Sequence, residues 1–333
     1  MKTTDAVSFF LPGDAEFGRL GALDPDQSPL EFQTAERAWT LQTYLRLARA
    51  GEPVRLTNVV PSRGVVVFHA GHKHIVQRYR KDSQGAVLVA LRGDRKPVLT
   101  ADFEILQNGC DADGRRTFAV PHWPQPGLVP RDASRGLRVR RAAYKGYSAN
   151  LDPAFLETPW QSRLAELGIE WHCDAAPFDR EGFRYYPVDW SSYRDIDVIV
   201  AVRPSDRTLH ATKPASKLVN AWLAGVPAVL GAESACRALR RDPLDYFEVG
   251  TPDEAEAALR LLRDEPRRMA DMIENGRRRA AEFRLDPLLA TWRNLLFETI
   301  PSLAVGRRPT RRRSLVELTV ASWLRRLGAH GGT

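Results

Sequence analysis

Lysine is scarce in this chain: there are seven, against forty-two arginines. Cysteine and methionine number three each. Cys110, Cys173 and Cys236 are widely spaced, odd in number and form no CxxC, which excludes a disulfide scaffold and a zinc ribbon and predicts a reducing, cytoplasmic setting. No apolar run approaches eighteen residues, so no helix is expected to span a membrane. The first residues offer only the patch Val7 to Phe10 before Pro12-Gly13, which does not read as a secretory signal. What is present is ordinary for a globular protein: 43% apolar and 27% charged residues over 333 positions, enough for two domains.

The net charge of +8 is unevenly placed. The segment 301–333 holds Arg307, Arg308, Arg311, Arg312, Arg313, Arg325 and Arg326 against the single acid Glu317, so the first 300 residues carry only about +2. A nearly neutral body with no recognisable binding module speaks against a nucleic-acid partner. The tail has its own pattern. Val316, Val320, Trp323 and Leu327 form one helical stripe beside the arginines, which fits an interfacial helix on an anionic membrane surface through residues 307–327. The other reading is a stripe docked on the protein itself or on a partner.

Along the chain, short apolar runs alternate with helical stretches. Val7 to Leu11, Val54 to Val60, Val65 to Phe68, Ala86 to Leu91 and Asp102 to Leu106 read as strands, with a helix over Glu31 to Ala50. Unalternated runs of this kind predict a parallel sheet covered on both faces. Four prolines between Pro121 and Pro130 forbid a helix and mark a junction. The alternation then resumes. Strands are predicted at Arg138 to Tyr144, Ile169 to Cys173, Ile196 to Val202, Val226 to Leu230 and Phe247 to Val249. Helices are predicted from Pro214 to Ala224 with Gly225 as stop, after a Thr251 cap, and from an Asp286 cap with Leu288, Trp292, Leu295 and Leu296 as the apolar face. A further helix would place Leu156, Trp160, Leu164 and Leu167 on one face. The predicted architecture is α/β, with two Rossmann-like domains, 1–125 and 126–300, facing a cleft, and a basic amphipathic tail over 301–333.

The segment from Ile196 to Ser234 carries the chemistry. A buried strand delivers Arg203 to its C-terminal edge. The following helix starts beside Lys213 and Lys217, two of the seven lysines, with Thr212 or Ser216 available as caps. An open helix N-terminus flanked by cations binds phosphate; the bland alternative is a solvated helix start. Ser216, Lys217, Asn220, Leu223, Gly225 and Pro227 then occupy the pattern S-K-x-x-E-x-x-A-x-G-x-P, with Ala224 just before the glycine.

On these residues the segment resembles the donor-binding half of GT-B glycosyltransferases. The resemblance covers residues 136–300 and, in layout only, the N-terminal half. It implies a nucleotide-sugar donor on the C-terminal domain, a glycan or lipid-linked acceptor on the N-terminal domain, a final helix crossing back, no cofactor and no required metal. It also implies transfer of a sugar from a nucleotide-diphosphate sugar to a hydroxyl, in bacterial surface glycan or glycoconjugate synthesis; the cysteine usage and the basic tail predict that such an enzyme is cytoplasmic or peripheral at the inner face of the membrane. One departure bears on mechanism. Where many retaining members carry two glutamates eight positions apart, this chain has Thr212 and Asn220. Asn220 offers a hydrogen bond to a ribose. Glu233 and Ser234 are the nearest replacement carboxylate and hydroxyl, unless Glu233 is simply a charge at a helix start. Without the acidic pair, the rival reading is an inactive glycan- or nucleotide-binding protein on the same fold.

Three further places belong to the predicted cleft. Gly146, in Lys145-Gly146-Tyr147, would let backbone approach a phosphate or would form an ordinary turn. His69, His72 and His74 follow a strand end without HExxH or a carboxylate partner, so no metal site is read there. His69 is the first candidate base for the acceptor hydroxyl and Asp94 the second, with His72 near the acceptor; the alternative is a set of surface histidines. His122 and Trp123, in the proline-rich junction, either line the cleft or stiffen a strap between domains.

Overall fold

The computed structural model describes residues 7–13, 16–79, 85–179, 184–185, 187–204 and 212–306. The tail stripe predicted over 307–327 lies outside them.

The first half forms one six-stranded sheet. In chain order its elements are β1 (Val7–Phe10), α1 (Phe17–Gly21), α2 (Gln42–Arg49), β2 (Val54–Thr57), β3 (Arg63–His69), α3 (Lys73–Arg78), β4 (Gly85–Leu91), β5 (Phe103–Leu106) and β6 (Thr117–Ala119). The strand order is β2-β1-β3-β4-β5-β6 and every pairing is parallel. The unalternated apolar runs have a direct explanation. Val65, Val67, Val89, Leu91, Phe103 and Ile105 point to one buried face, while Val66, Phe68, Ala86, Leu88 and Ala90 point to the other. Both faces are covered, so successive residues must all be apolar.

The second half continues with β7 (Arg141–Tyr147), α4 (Thr158–Glu166), β8 (Glu170–Ala176), the two-residue hairpin strands β9 (Phe178–Asp179) and β10 (Arg184–Tyr185), β11 (Val198–Ala201), α5 (Ser216–Ala224), β12 (Ala228–Leu230), α6 (Ser234–Leu239), β13 (Phe247–Glu248), α7 (Pro252–Asp264) and α8 (Pro266–Ala280). Its five-stranded sheet has the order β13-β12-β11-β7-β8, again all parallel. In both sheets the chain starts in the interior, steps to one side and then crosses to the other. That reversal opens a crevice at the C-terminal strand ends, between β1 and β3 in one sheet and between β7 and β11 in the other.

The chain then returns. In α9 (Leu285–Arg293), the turn after it and α10 (Ile300–Ala304), Leu288, Trp292, Leu295, Leu296 and Ile300 are buried against Val7, Phe9, Val65 and Val67 of the first sheet.

Several local expectations need correction. β7 runs three residues further than its apolar pattern, because Lys145 is neutralised inside it: its ammonium donates to the Asp189 carbonyl at 2.7 Å and lies 3.5 Å from the Asp174 and Asp189 carboxylates. Gly146 is therefore a strand residue. A Cβ there would stand 2.5 Å from the Tyr144 hydroxyl, which donates to the Tyr147 carbonyl. Helix α5 starts at Ser216 with Ala215 as N-cap and no side-chain cap from Ser216 or Thr212. Its end is as the sequence predicts, with Gly225 at φ +72° in the left-handed region that glycine tolerates. Thr251 does cap α7, accepting from the Glu254 N–H at 3.2 Å. Asp286 is not a cap: Arg284 holds that position and Asp286 lies in the first turn. Leu156 precedes α4 and is exposed, while Trp160, Leu164 and Leu167 are buried.

Candidate active site

The crevice of the C-terminal sheet is built by two loops and a helix start. Just past β11, Arg203 donates from Nη1 to the Asn150 carboxamide oxygen at 2.7 Å, across the gap from the loop after β7. Its Nε lies 3.1 Å from Oε1 of Glu233, the N-cap residue of α6. Both side chains are about nine-tenths buried, 11% and 8% exposed, so the pair is a fixed part of the crevice wall. Glu233 is thus the counter-charge that orients Arg203, and not a lone helix-start charge.

Lys217 stands on the first turn of α5. Its ammonium is 5.4 Å from the Tyr144 ring centre and 5.7 Å from that of Trp190. The two aromatic faces attract the cation without neutralising it. Burial, with Arg203 next, lowers its pKa to about 7. Glu233 acts the other way but is outweighed, and a further anion beside Lys217 would favour the ammonium.

The third expected cation is committed elsewhere. Lys213 reaches across the cleft to Asp94, with Nζ 2.5 Å from Oδ2. Burial raises the Asp94 pKa, but the Lys213 charge and hydrogen bond outweigh it, and the carboxylate is held below its ordinary value. A carboxylate so stabilised is a weak base. Asn108, after β5, ties the same edges together, donating to the Lys213 carbonyl at 3.1 Å and to the Ser234 hydroxyl at 3.0 Å.

The N-terminal crevice is different. His69 ends β3 and is 1% exposed. Its Nδ1 accepts from the Gly71 N–H at 3.3 Å, and Gly71 carries no Cβ where one would stand 2.9 Å from that nitrogen. An accepting Nδ1 places the proton of the neutral ring on Nε2. Nε2 itself is occluded and has no hydrogen-bond partner among the described residues. Burial, then His72 and Arg95, lowers the pKa to about 4. The expected base is therefore a neutral, covered donor. His72 sits beside it, rings 5.8 Å apart, with Nε2 3.7 Å from Glu36. Burial is also the main cause lowering the His72 pKa.

The junction residues are likewise structural here. Trp123 is 3% exposed, stacks on Trp292 of α9 at 6.2 Å and donates to the Thr43 hydroxyl. His122 is buried, with Nδ1 2.6 Å from the Trp123 carbonyl oxygen and its ring edge-on to Trp39. Trp123 belongs to the strap, while His122 also faces the backbone of Ala215, the N-cap of α5, and so touches the donor-side edge. Asn220 accepts from the Gln125 N–H at 3.3 Å, so its carboxamide oxygen holds that strap.

The structure thus brings Arg203, Lys217, Glu233, Lys213, Ser234 and Asp94 to one cleft between the sheets. Asn150, Tyr144, Trp190 and Asn108 also belong to it. Asn150 and Asn108 follow strand ends, a position at which sequence reading could have found them; Trp190 lies in an irregular stretch with no such signal.

Among the described residues no helix is long and apolar enough to cross a membrane, and no group of three or more histidine, cysteine or acidic side chains could hold a metal ion. Neither protein-family models nor curated protein sequences yield a match. Solved structures do. A structure of Anabaena Alr3699/HepE in complex with UDP-glucose superposes with a TM-score of 0.53 at 9% identity, covering 88% of this chain and 99% of that one. The same protein in complex with UDP and glucose gives 0.51 at 10% identity and the same coverage. A mutant of S. aureus TarM, in complex with Fondaparinux, alpha-GlcNAc-glycerol and UDP, gives 0.50 at 8% identity over 77% of this chain and 58% of that one. At such identities the likeness establishes the fold: two Rossmann-like domains facing a cleft, the GT-B arrangement.

Proposed function

We propose that the protein is a glycosyltransferase that takes a sugar from a nucleoside-diphosphate sugar and transfers it to an acceptor hydroxyl. The observation that carries this reading is the pair Arg203 and Lys217 at the topological switch point of the C-terminal sheet, beside the open start of α5. UDP-glucose in a neighbour of the same fold supports the choice of donor class.

In this mechanism the diphosphate lies against Arg203, Lys217 and the first free N–H groups of α5. As the bond to the sugar breaks, negative charge grows on the departing phosphate. Preorganised cations stabilise that charge without reorganising. Glu233 keeps Arg203 aimed, and Tyr144 and Trp190 keep Lys217 in place. These cations supply the charge that a divalent metal supplies in other transferases, so turnover is proposed to need none, and no cofactor besides the donor. The acceptor would approach from the ends of β3 and β4. A glycan or lipid-linked acceptor in bacterial surface glycan synthesis, and a cytoplasmic enzyme held at the inner membrane face by its basic tail, complete the proposal.

UDP release from UDP-glucose, with and without EDTA, tests it. The expected result is release that survives chelation. Loss of activity in EDTA, restored by a divalent ion, would remove the metal-independent step. Binding of nucleotide with no release or transfer across a panel of donors and acceptors would leave a binding protein in place of an enzyme.

A further inference from the structure

We infer that Asp94 is a latch on the donor site: its carboxylate holds Lys213 away from the donor, and an incoming nucleoside diphosphate must take Lys213 from it. The inference rests on the donor reading given above, and adds to it a residue of the opposite domain that sets donor affinity.

The geometry is specific. Asp94 lies in the loop after β4 of the N-terminal sheet, and Lys213 lies three residues before α5 of the C-terminal sheet. The two are 119 positions apart in sequence and 2.5 Å apart in space. The contact is partly open, with side-chain exposures of 24% for Lys213 and 35% for Asp94, so an anion from solvent can reach it. The Lys213 backbone is fixed independently of this ion pair, because its carbonyl accepts from Asn108. Losing the ion pair therefore frees the ammonium without displacing the segment that carries it. Lys213 is also close enough to Lys217 for its charge to contribute to the depressed pKa of that group.

A diphosphate placed between Lys217 and Lys213 would bring its oxygens beside the Asp94 carboxylate. Like charges at such range repel strongly in a partly dry cleft. The loop after β4 and the start of α5 must then part, or Lys213 must swing from carboxylate to phosphate. In either case donor binding and the cross-domain contact compete for one ammonium. By linkage, whatever weakens the contact strengthens the donor. Gly93 shapes the loop that presents Asp94: it adopts φ +57°, and a Cβ there would meet the Trp39 indole nitrogen at 2.9 Å. The Gly93 N–H donates to Gln107 at 2.7 Å, so the loop is held in place from beneath.

Calorimetric titration with UDP-glucose of the full-length wild type, Asp94→Asn, Lys213→Ala and the double variant tests the latch. Asp94→Asn is expected to tighten binding about fivefold, the scale of releasing a partly exposed ion pair. In the Lys213→Ala background the same substitution is expected to tighten binding distinctly less, because only the direct repulsion between carboxylate and phosphate is then relieved. No tightening in Asp94→Asn would overturn the inference. So would equal tightening with and without Lys213, since that is the signature of long-range charge alone. A wild type and an Asp94→Asn variant that both fail to bind would instead overturn the donor reading, and the latch with it.

Discussion

The two sheets share one topology, yet their crevices differ. At the C-terminal switch point, Arg203 spans the gap to Asn150 and Lys217 stands over two aromatic rings. At the N-terminal switch point, the strand end carries His69, whose ring is covered, neutral and turned onto its own backbone. A doubly wound sheet thus offers a crevice wherever its strand order reverses, but the side chains decide whether it binds an anion. Here one crevice carries two cations at its strand ends, and the other a covered, neutral histidine ring.

The largest expected effect lies at the opposite end of the strand that delivers Arg203. Asp197 starts the segment, is wholly buried, and accepts from Arg131 and Arg135 at 2.7 Å and from the N–H groups of Arg140 and Arg141. Asp197→Ala leaves two guanidinium groups without their partner. It should cost about 3–5 kcal/mol of stability in denaturant unfolding. Donor affinity of the protein that stays folded should not change. A loss of affinity at unchanged stability would break the division of β11 into a structural end and a functional end.

A smaller effect is expected in the N-terminal crevice. His69→Gln should lower kcat/KM less than about tenfold, against the 10²- to 10⁴-fold typical of a lost general base. The wild-type rate profile should show no limb from His69 near pH 6.5. With its pKa at about 4, the ring is already neutral through that range. A limb at pH 6–7 that disappears in His69→Gln would restore the histidine as the base and remove the contrast between the two crevices.

The smallest effect on the cleft should come from the tail. Truncation after Gly306 keeps Ile300, which is buried in the first domain's core, and should leave donor affinity unchanged. Sedimentation with anionic vesicles at low salt should distinguish the two forms, with only the full chain in the pellet. Equal partition of both into the supernatant would remove the membrane from the account.

Much of the fold was legible because its signals are local. The run IDVIVAV had to be a buried strand, Gly225 had to end a helix and Thr251 had to start one. The stripe Leu288, Trp292, Leu295 and Leu296 announced a buried helix face, and the resemblance, not the stripe, pointed to the N-terminal sheet that it covers. What escaped was set by partners far away in sequence. Lys145 read as the end of a strand because nothing local shows that Asp174 and Asp189 will neutralise it. Trp123 read equally well as a cleft wall or a strap until Trp292 stacked on it from 169 positions away. The site was legible in part for the same reason. Arg203, Lys213 and Lys217 were found from a strand end and a helix start. The pairing of Arg203 with Glu233, and the diversion of Lys213 to Asp94, are tertiary facts with no period in the sequence.

The central claim is that the C-terminal crevice holds the donor diphosphate on Lys217. Calorimetric titration with UDP-glucose at pH 6 and pH 8, on the wild type and on Lys217→Ala, tests it most directly. The diphosphate of this probe does not titrate over that range, whereas free Lys217, with a pKa of about 7, loses its proton. Anion binding favours the ammonium, so wild-type affinity should fall from pH 6 to pH 8. Lys217→Ala should bind about 1–3 kcal/mol more weakly at pH 6 and show no such fall. Equal affinities of the two proteins at both pH values would contradict the claim.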